Sequence, residues 1–439
     1  MSTADARRTA RDRHLIASLR VDLTAWREAV EPGGPIEKHR SQVTSITTRL
    51  LAGVDRLEHW AACGDPPAGV QVADLVLDLH HVWDFFRAKL VLRYVDAYRD
   101  FLDAADELAW ACYRPAVEAV VRDDVRLDEP PLVFFYRSAV PFAIARGSDF
   151  ADMLPRGGLS TRAGSSAAAD LPFPVIGVPW HLPGHPPAML AIAHEVGHHI
   201  EDDVGLTAEL TARLDRSGVD TRWSRWVGEV FADLCAGVAC GPPYLWTLAD
   251  ALAGTDGDGA GAGLYPPARL RVLLCREVVE RAGFTDVPST AALPPGPSGP
   301  LDVEVEAVVT ALTGDPYPHL GDATLISVLR PGRACQLTDS IDRFRRGLAI
   351  DTSDVRLVAA AAAGVFAADP DRYDDAAVGE RMIREILRRR PSGLRRSEPG
   401  DDRLRRERDE AAGRSLLDRL AANRRSDSAG RSGAVVRVP

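Results

Sequence analysis

The stretch Ala191-Ile192-Ala193-His194-Glu195-Val196-Gly197-His198-His199-Ile200 carries more chemistry than any other ten residues of this chain. His194 and His198 are four apart, so on a helix both imidazoles leave one face and can bind the same metal ion. Glu195 beside them puts a carboxylate within reach of a water in the open position of that ion. Met189, Leu190, Ala193, Val196, Gly197 and Ile200 supply the apolar surface that such a helix buries. The plainer alternative is a solvated helix that happens to carry two histidines.

A second helix is predicted over Trp226-Val-Gly-Glu-Val-Phe-Ala-Asp-Leu234, with Glu229 and Asp233 four apart. A catalytic zinc site takes three protein ligands and keeps one position open, and Glu229 completes that set. Asp233, one turn later, can accept a hydrogen bond from the free nitrogen of a ligand histidine and fix its tautomer. An ordinary solvated face is the competing reading, which Phe231 and Ala232 between the two acids disfavour. A third segment, Tyr265-Pro-Pro-Ala-Arg-Leu-Arg-Val272, reads as a helix entrance with Pro266 near the start. Tyr265 there can donate to the oxyanion formed when water attacks a peptide carbonyl, and Arg271 can orient a carboxylate or carbonyl in the same cleft. Taken alone, these two residues read equally well as a surface tyrosine and an ordinary arginine.

Together HEVGH, GEVFAD and YPPARLRV, with Glu229 lying 31 residues past His198, resemble the gluzincin zinc peptidases. The spacing is most similar to that of the membrane-associated prenyl-protein and heat-shock proteases, whose third motif reads HPP followed by Arg. The resemblance spans about residues 130 to 285. It implies a zincin-like core, zinc ligands His194, His198 and Glu229, Glu195 as general base, Asp233 behind a ligand, and Arg271 as an active-site arginine. Two departures stand out: Tyr265 occupies the place of the family histidine, and the membrane helices are missing.

Outward from this core, 439 residues predict two or three domains at about 150 residues each. Apolar residues at 46% and charged residues at 26% are ordinary for a globular chain, which argues against wholesale disorder. A net charge of −10 argues against a nucleic-acid-binding surface over the whole protein. Lysine occurs only at Lys38 and Lys89, so arginine is the general basic residue and single arginines carry little weight. The longest apolar run, Leu357 to Ala368, has 12 residues, short of the roughly 18 a membrane helix needs. Leu15 to Leu19 is too short for the core of a signal peptide. Six dispersed cysteines without a CxxC pair suggest reduced, mostly buried thiols and a cytoplasmic protein.

Apolar spacing of three and four predicts three or four long helices between about residues 10 and 125, for instance through Leu75, Leu79, Val82, Trp83 and Phe86. Two β-like runs follow, Leu132 to Tyr136 and the proline-bounded Val175-Ile176-Gly177-Val178. The second is expected to be an edge strand to which a substrate peptide adds. Gly157 to Ala169 and Gly254 to Gly263 read as loops, the latter without the length or terminal Glu of an EF-hand. Pro294 to Pro300 reads as a linker. The tail from Pro391, with 12 Arg against eight acidic residues and few large apolar ones, is expected to be disordered. His80, His81, His181, His185 and His199 are assigned packing or surface roles.

The expected architecture is mainly α with a small β-sheet: residues 1–128 a helical region, 129–290 a zincin-like core, 301–390 a second helical region and 391–439 the tail. The expected function is a cytoplasmic, zinc-dependent peptidase acting on a peptide or protein, with no nucleic-acid or membrane partner and helical flanks that suit a regulatory protein partner. A regulatory protease specific for one protein, a zinc hydrolase of non-peptide substrates and a non-catalytic zinc-binding interaction protein remain as alternatives. Glu195 weighs against the last, because a structural site needs no base.

Overall fold

The computed structural model describes residues 3–63, 69–120, 130–148, 171–253, 265–284, 298–391 and 401–431. The loops expected at Gly157 to Ala169 and Gly254 to Gly263, and most of the linker before Pro300, lie outside the described residues. The described residues are mostly helical with one small sheet, as the periodicity predicts. Among them no helix is long and apolar enough to cross a membrane. All six cysteines are free, with Cys112, Cys235, Cys240 and Cys275 buried.

The chain forms two units, each drawn from separated segments. The first comprises Met1–Asp96, Arg146–Phe173 and Ser392–Pro439. It holds α1 (Thr3–Glu28), α2 (Arg40–Cys63), α3 (Val72–Val91) and a C-terminal helix, Asp401–Arg431. Leu19, Leu23, Leu50, Leu57, Leu75 and Leu79 are fully buried around Trp83, whose indole N–H donates to Asp22 Oδ2 at 2.8 Å.

The C-terminal helix corrects the expectation of a disordered tail. Its apolar residues are few but fall on one side: Leu416, Leu417, Leu420 and Ala421 are buried. Its charges are matched to helices distant in sequence. Asp409 accepts from Arg49 Nε of α2 at 2.9 Å, and Arg424 grips the buried Asp78 of α3 through Nη2 at 2.7 Å and Nε at 3.0 Å. Gly413 sits directly against the carbonyl of Arg49, where a Cβ would collide with the α2 backbone. Composition alone reads such a segment as too polar to fold, because it cannot show that the partners of its charges lie more than 300 residues away.

The second unit comprises Ala97–Ala145 and Pro174–Pro391. It contains α4 (Asp96–Ala119), β1 (Leu132–Tyr136), β2 (Phe142–Ile144), β3 (Val175–Pro179), α5 (Ala191–Val204), α6 (Val227–Cys240), α7 (Pro242–Leu252), α8 (Ala268–Arg281) and the Ala-rich α9 (Val355–Ala368), among further helices. The expected four-part division is therefore redrawn: α4 joins the second unit and the C-terminal helix the first. The cause for α4 is specific. Its Asp106 accepts from the backbone N–H of Val133 in β1 at 3.1 Å, and its Tyr113 hydroxyl reaches Asp203 of α5 at 2.5 Å.

The strand order is β1-β3-β2. β3 is parallel to β1, in a register that runs from Leu132 opposite Val175 to Tyr136 opposite Pro179, and antiparallel to β2. Val175, Ile176, Gly177 and Val178 are thus the centre of the sheet, fully buried, and not the expected edge to which a peptide adds. The flanking prolines stop the strand without marking an edge, since Pro174 contributes only its carbonyl, to Leu132 N at 3.0 Å. The outer strands are β1 and β2, and β2, at three residues, is too short to stand out in the sequence. Gly177 is required here: a side chain would run into the Phe142 ring of β2.

Candidate metal centre

The helix α5 forms because Ile192, Val196, Ile200 and Val204 recur every four residues and are buried. It ends at Gly205, whose φ of 75° supplies the left-handed cap. His199 faces away from the other two histidines, and its Nε2 lies 3.2 Å from the carbonyl of Val175, which ties the helix to the central strand. The approach of α6 depends on Gly197. A Cβ at that position would fall 2.6 Å from Ala232 Cα, so two helix backbones meet where any side chain would hold them apart. That close crossing carries Glu229 and Asp233 to the imidazoles.

His194 Nε2 lies 3.5 Å from Glu229 Oε2, and His198 Nε2 lies 3.6 Å from Glu229 Oε1. The three donor atoms are within 4.8 Å of one another and can hold a metal ion. A tetrahedral ion with bonds of about 2.0–2.1 Å sets its ligand atoms roughly 3.4 Å apart, so the trio has close to the needed spacing. Two neutral imidazoles and one carboxylate are also the donor chemistry of zinc sites with an open position. Glu195, on the same face of α5, is buried with its neighbours.

Asp233 is the hub behind the trio and is completely buried. His194 Nδ1 lies 2.9 Å from its Oδ1. Arg271 of α8 straddles the same carboxylate, Nε to Oδ2 at 2.7 Å and Nη2 to Oδ1 at 2.9 Å. The Tyr244 hydroxyl at the start of α7 donates to Oδ1 at 3.0 Å. Burial alone would raise the Asp233 carboxyl, but the arginine and the imidazole hold it well below the usual carboxylate range. Burial works against protonation of His194 as well, yet Asp233 and Glu229 push it up to about 9. His198 moves the other way, down to about 4, through burial and the neighbouring His194. Burial pushes the Glu195 carboxyl up to about 7.

The sequence-derived residues therefore separate into two groups. His194, Glu195, His198, Glu229, Asp233 and Arg271 come together. Arg271, expected to orient substrate, instead clamps Asp233, with a longer contact of 3.4 Å to Glu229. Tyr265 stands apart: it is 58% exposed ahead of α8, which begins at Ala268, and none of its contacts among the described residues joins it to the trio. Tyr244 was not foreseen. It sits in Gly241-Pro-Pro-Tyr244, a helix start without chemical signature, and only the fold brings its hydroxyl to Asp233.

Set against protein-family models, curated proteins and solved structures, the chain matches none of them. The functional reading rests on the site itself.

Proposed function

We propose that the protein is a zinc-dependent peptidase of gluzincin type. The observation that carries this reading is the crossing of α5 and α6, which gathers two imidazoles and one carboxylate at metal-ligand spacing beside a further carboxylate, Glu195, that the ligand set does not use. His194, His198 and Glu229 would hold the ion. When bound, zinc would serve as a Lewis acid toward the attacking water and the scissile carbonyl. Glu195 takes the proton of the water and delivers it to the leaving amine, which keeps one residue as base and then acid. Asp233 orients His194, and Arg271 and Tyr244 orient Asp233.

Room for a substrate lies one turn before His194. A recess of about 260 Å³ is lined by Ala191, Trp246, Thr247, Phe366, His185 and Asp250 among others. Ala191 shares the helix face of His194 and Glu195, and Thr247 shares that of Tyr244. The recess is largely apolar and suits a bulky apolar side chain of a peptide. The outer strand β2, which begins beside it at Phe142, offers an edge for an extended backbone.

Metal analysis and peptide-library cleavage by wild type, Glu195→Gln and His198→Ala test the proposal. The expected result is one zinc per chain in wild type and Glu195→Gln, little in His198→Ala, and cleavage by wild type alone. Zinc without cleavage of any peptide would favour a dedicated protein substrate, non-peptide chemistry or a structural metal. No zinc after reconstitution would overturn the reading.

A further inference from the structure

The first unit contains a cavity of about 1340 Å³ with no role in the peptidase reading. Its floor is one face of α2, where Arg40, Thr44, Thr48, Leu51 and Ala52 recur at helical spacing. α1 supplies one wall and the C-terminal helix the other. Eight Arg or Lys side chains line it against five carboxylates, in a chain whose net charge is −10. An excess of positive charge inside an acidic protein is the reverse of what chance surface composition would give.

Most of those carboxylates are already engaged. Asp409 is held by Arg49 from outside the lining, Asp55 by Arg20 at 2.5 Å, Glu410 by Arg406 at 2.8 Å, and Glu37 accepts from Gly33 N at 3.0 Å. Arg27 is different. Its guanidinium is half-buried and bonded only to hydroxyls, Nε to Thr47 at 3.1 Å and Nη2 to Thr48 at 2.7 Å. Among the described residues no carboxylate lies within ion-pair distance of Arg27, nor of the exposed Arg40. Burial lowers the pKa of Arg27, and the charge of Arg406 lowers it further, so the two guanidiniums repel each other across this space. An anion between them would relieve that repulsion and accept from the Nη edges that Thr47 and Glu410, each on an Nε, leave open.

We propose that this cavity binds a soluble, phosphate-bearing small molecule of nucleotide size, its phosphates held between Arg27 and Arg406 and its organic part against Leu51 and Ala52. The volume exceeds what inorganic phosphate needs and suits an organic ligand. Enclosure by three helices favours a small molecule over a polymer.

The test is isothermal titration of the full chain, stripped of divalent metal so that chelation is not read as binding, with ATP and with inorganic tripolyphosphate. The expected result is one site per chain, weakened about tenfold or more by Arg27→Gln and by Arg406→Gln, and unchanged by Arg346→Gln in the second unit. Arg40→Gln, an exposed position, gives a weaker but measurable loss and guards against misfolding of the Arg27 variant, whose helix content is checked by circular dichroism. Tighter binding of ATP than of tripolyphosphate would locate the organic part on the apolar floor. No binding of either probe at millimolar concentration, or binding unmoved by all three cavity substitutions, would overturn the proposal.

Discussion

Gly197 in α5 and Gly413 in the C-terminal helix do the same geometric work in separate units, and the surroundings of each decide what it is for. At both, the missing side chain lets two helix backbones touch, Gly197 on Ala232 and Gly413 on Arg49. Around Gly197 the crossing is walled by apolar residues, and His194, Arg271 and Tyr244 converge on one buried carboxylate, Asp233. Around Gly413 the crossing is stitched by separate ion pairs, Arg49–Asp409 and Arg424–Asp78, and borders a water-accessible cavity. One crossing gathers charge into a single centre, whereas the other spreads it along a groove. Close helix packing is thus neutral as to function, and the placement of charge around it is what separates a cluster able to hold a metal ion from a cavity lined by basic residues.

The sharpest way to break that comparison is at the hub. Asp233→Asn leaves the buried Arg271 guanidinium with only its longer 3.4 Å contact to Glu229 as counter-charge, for which about 3 kcal/mol of lost stability is expected. Denaturant unfolding checks it, and the double substitution with Arg271→Gln should recover part of the loss. A loss below about 1 kcal/mol would show that the hub is solvated and not central.

Next come the two glycines. Gly197→Ala forces overpacking worth about 1–3 kcal/mol, partly offset by the better helix propensity of alanine, about 1 kcal/mol. Because it separates Glu229 from the imidazoles, zinc affinity should fall at least about tenfold. Gly413→Ala should carry a similar stability cost and leave zinc affinity unchanged. Equal effects of both variants on zinc would erase the distinction drawn above.

Tyr244→Phe removes one hydrogen bond to Asp233 and is expected to cost about 1 kcal/mol by thermal unfolding, with zinc stoichiometry retained.

A pH dependence in the first unit gives a test that does not involve the metal-ligand cluster. Burial pushes the Lys89 ammonium down to about 7 from an unfolded value of 10.5. Below pH 7 both states carry the proton, and the folded state bears the full penalty of a confined charge. Between about 7 and 10.5 the folded state has released the proton while the unfolded state keeps it, so stability rises with pH. Lys89→Met should flatten that rise in urea titrations at pH 7 and pH 9.5.

Much of the second unit was legible because its signals are local. The four-residue spacing of His194 and His198, and of Glu229 and Asp233, places each pair on a helix face without knowledge of the rest. The meeting of those two faces was legible only through a motif, since nothing in Ala232 announces that Gly197 will rest on it. β3 was found as a strand but misplaced at the edge, because the partner β2 has three residues and no alternating pattern long enough to detect. Tyr244 and the clamp of Arg271 on Asp233 depend on α7 and α8 folding back onto α6, which no local pattern encodes. The C-terminal helix was missed for a related reason: its few apolar residues gather on one side and its charges pair across the chain, and composition records neither arrangement.

The Arg49–Asp409 contact spans 360 positions. At about 5–20 residues per second, a ribosome needs roughly 20–70 s to travel from one to the other. For most of that interval α1, α2 and α3 have been made without the helix that closes them, and every segment of the second unit is made before that helix begins. The unit that begins first is therefore the last whose segments are all made.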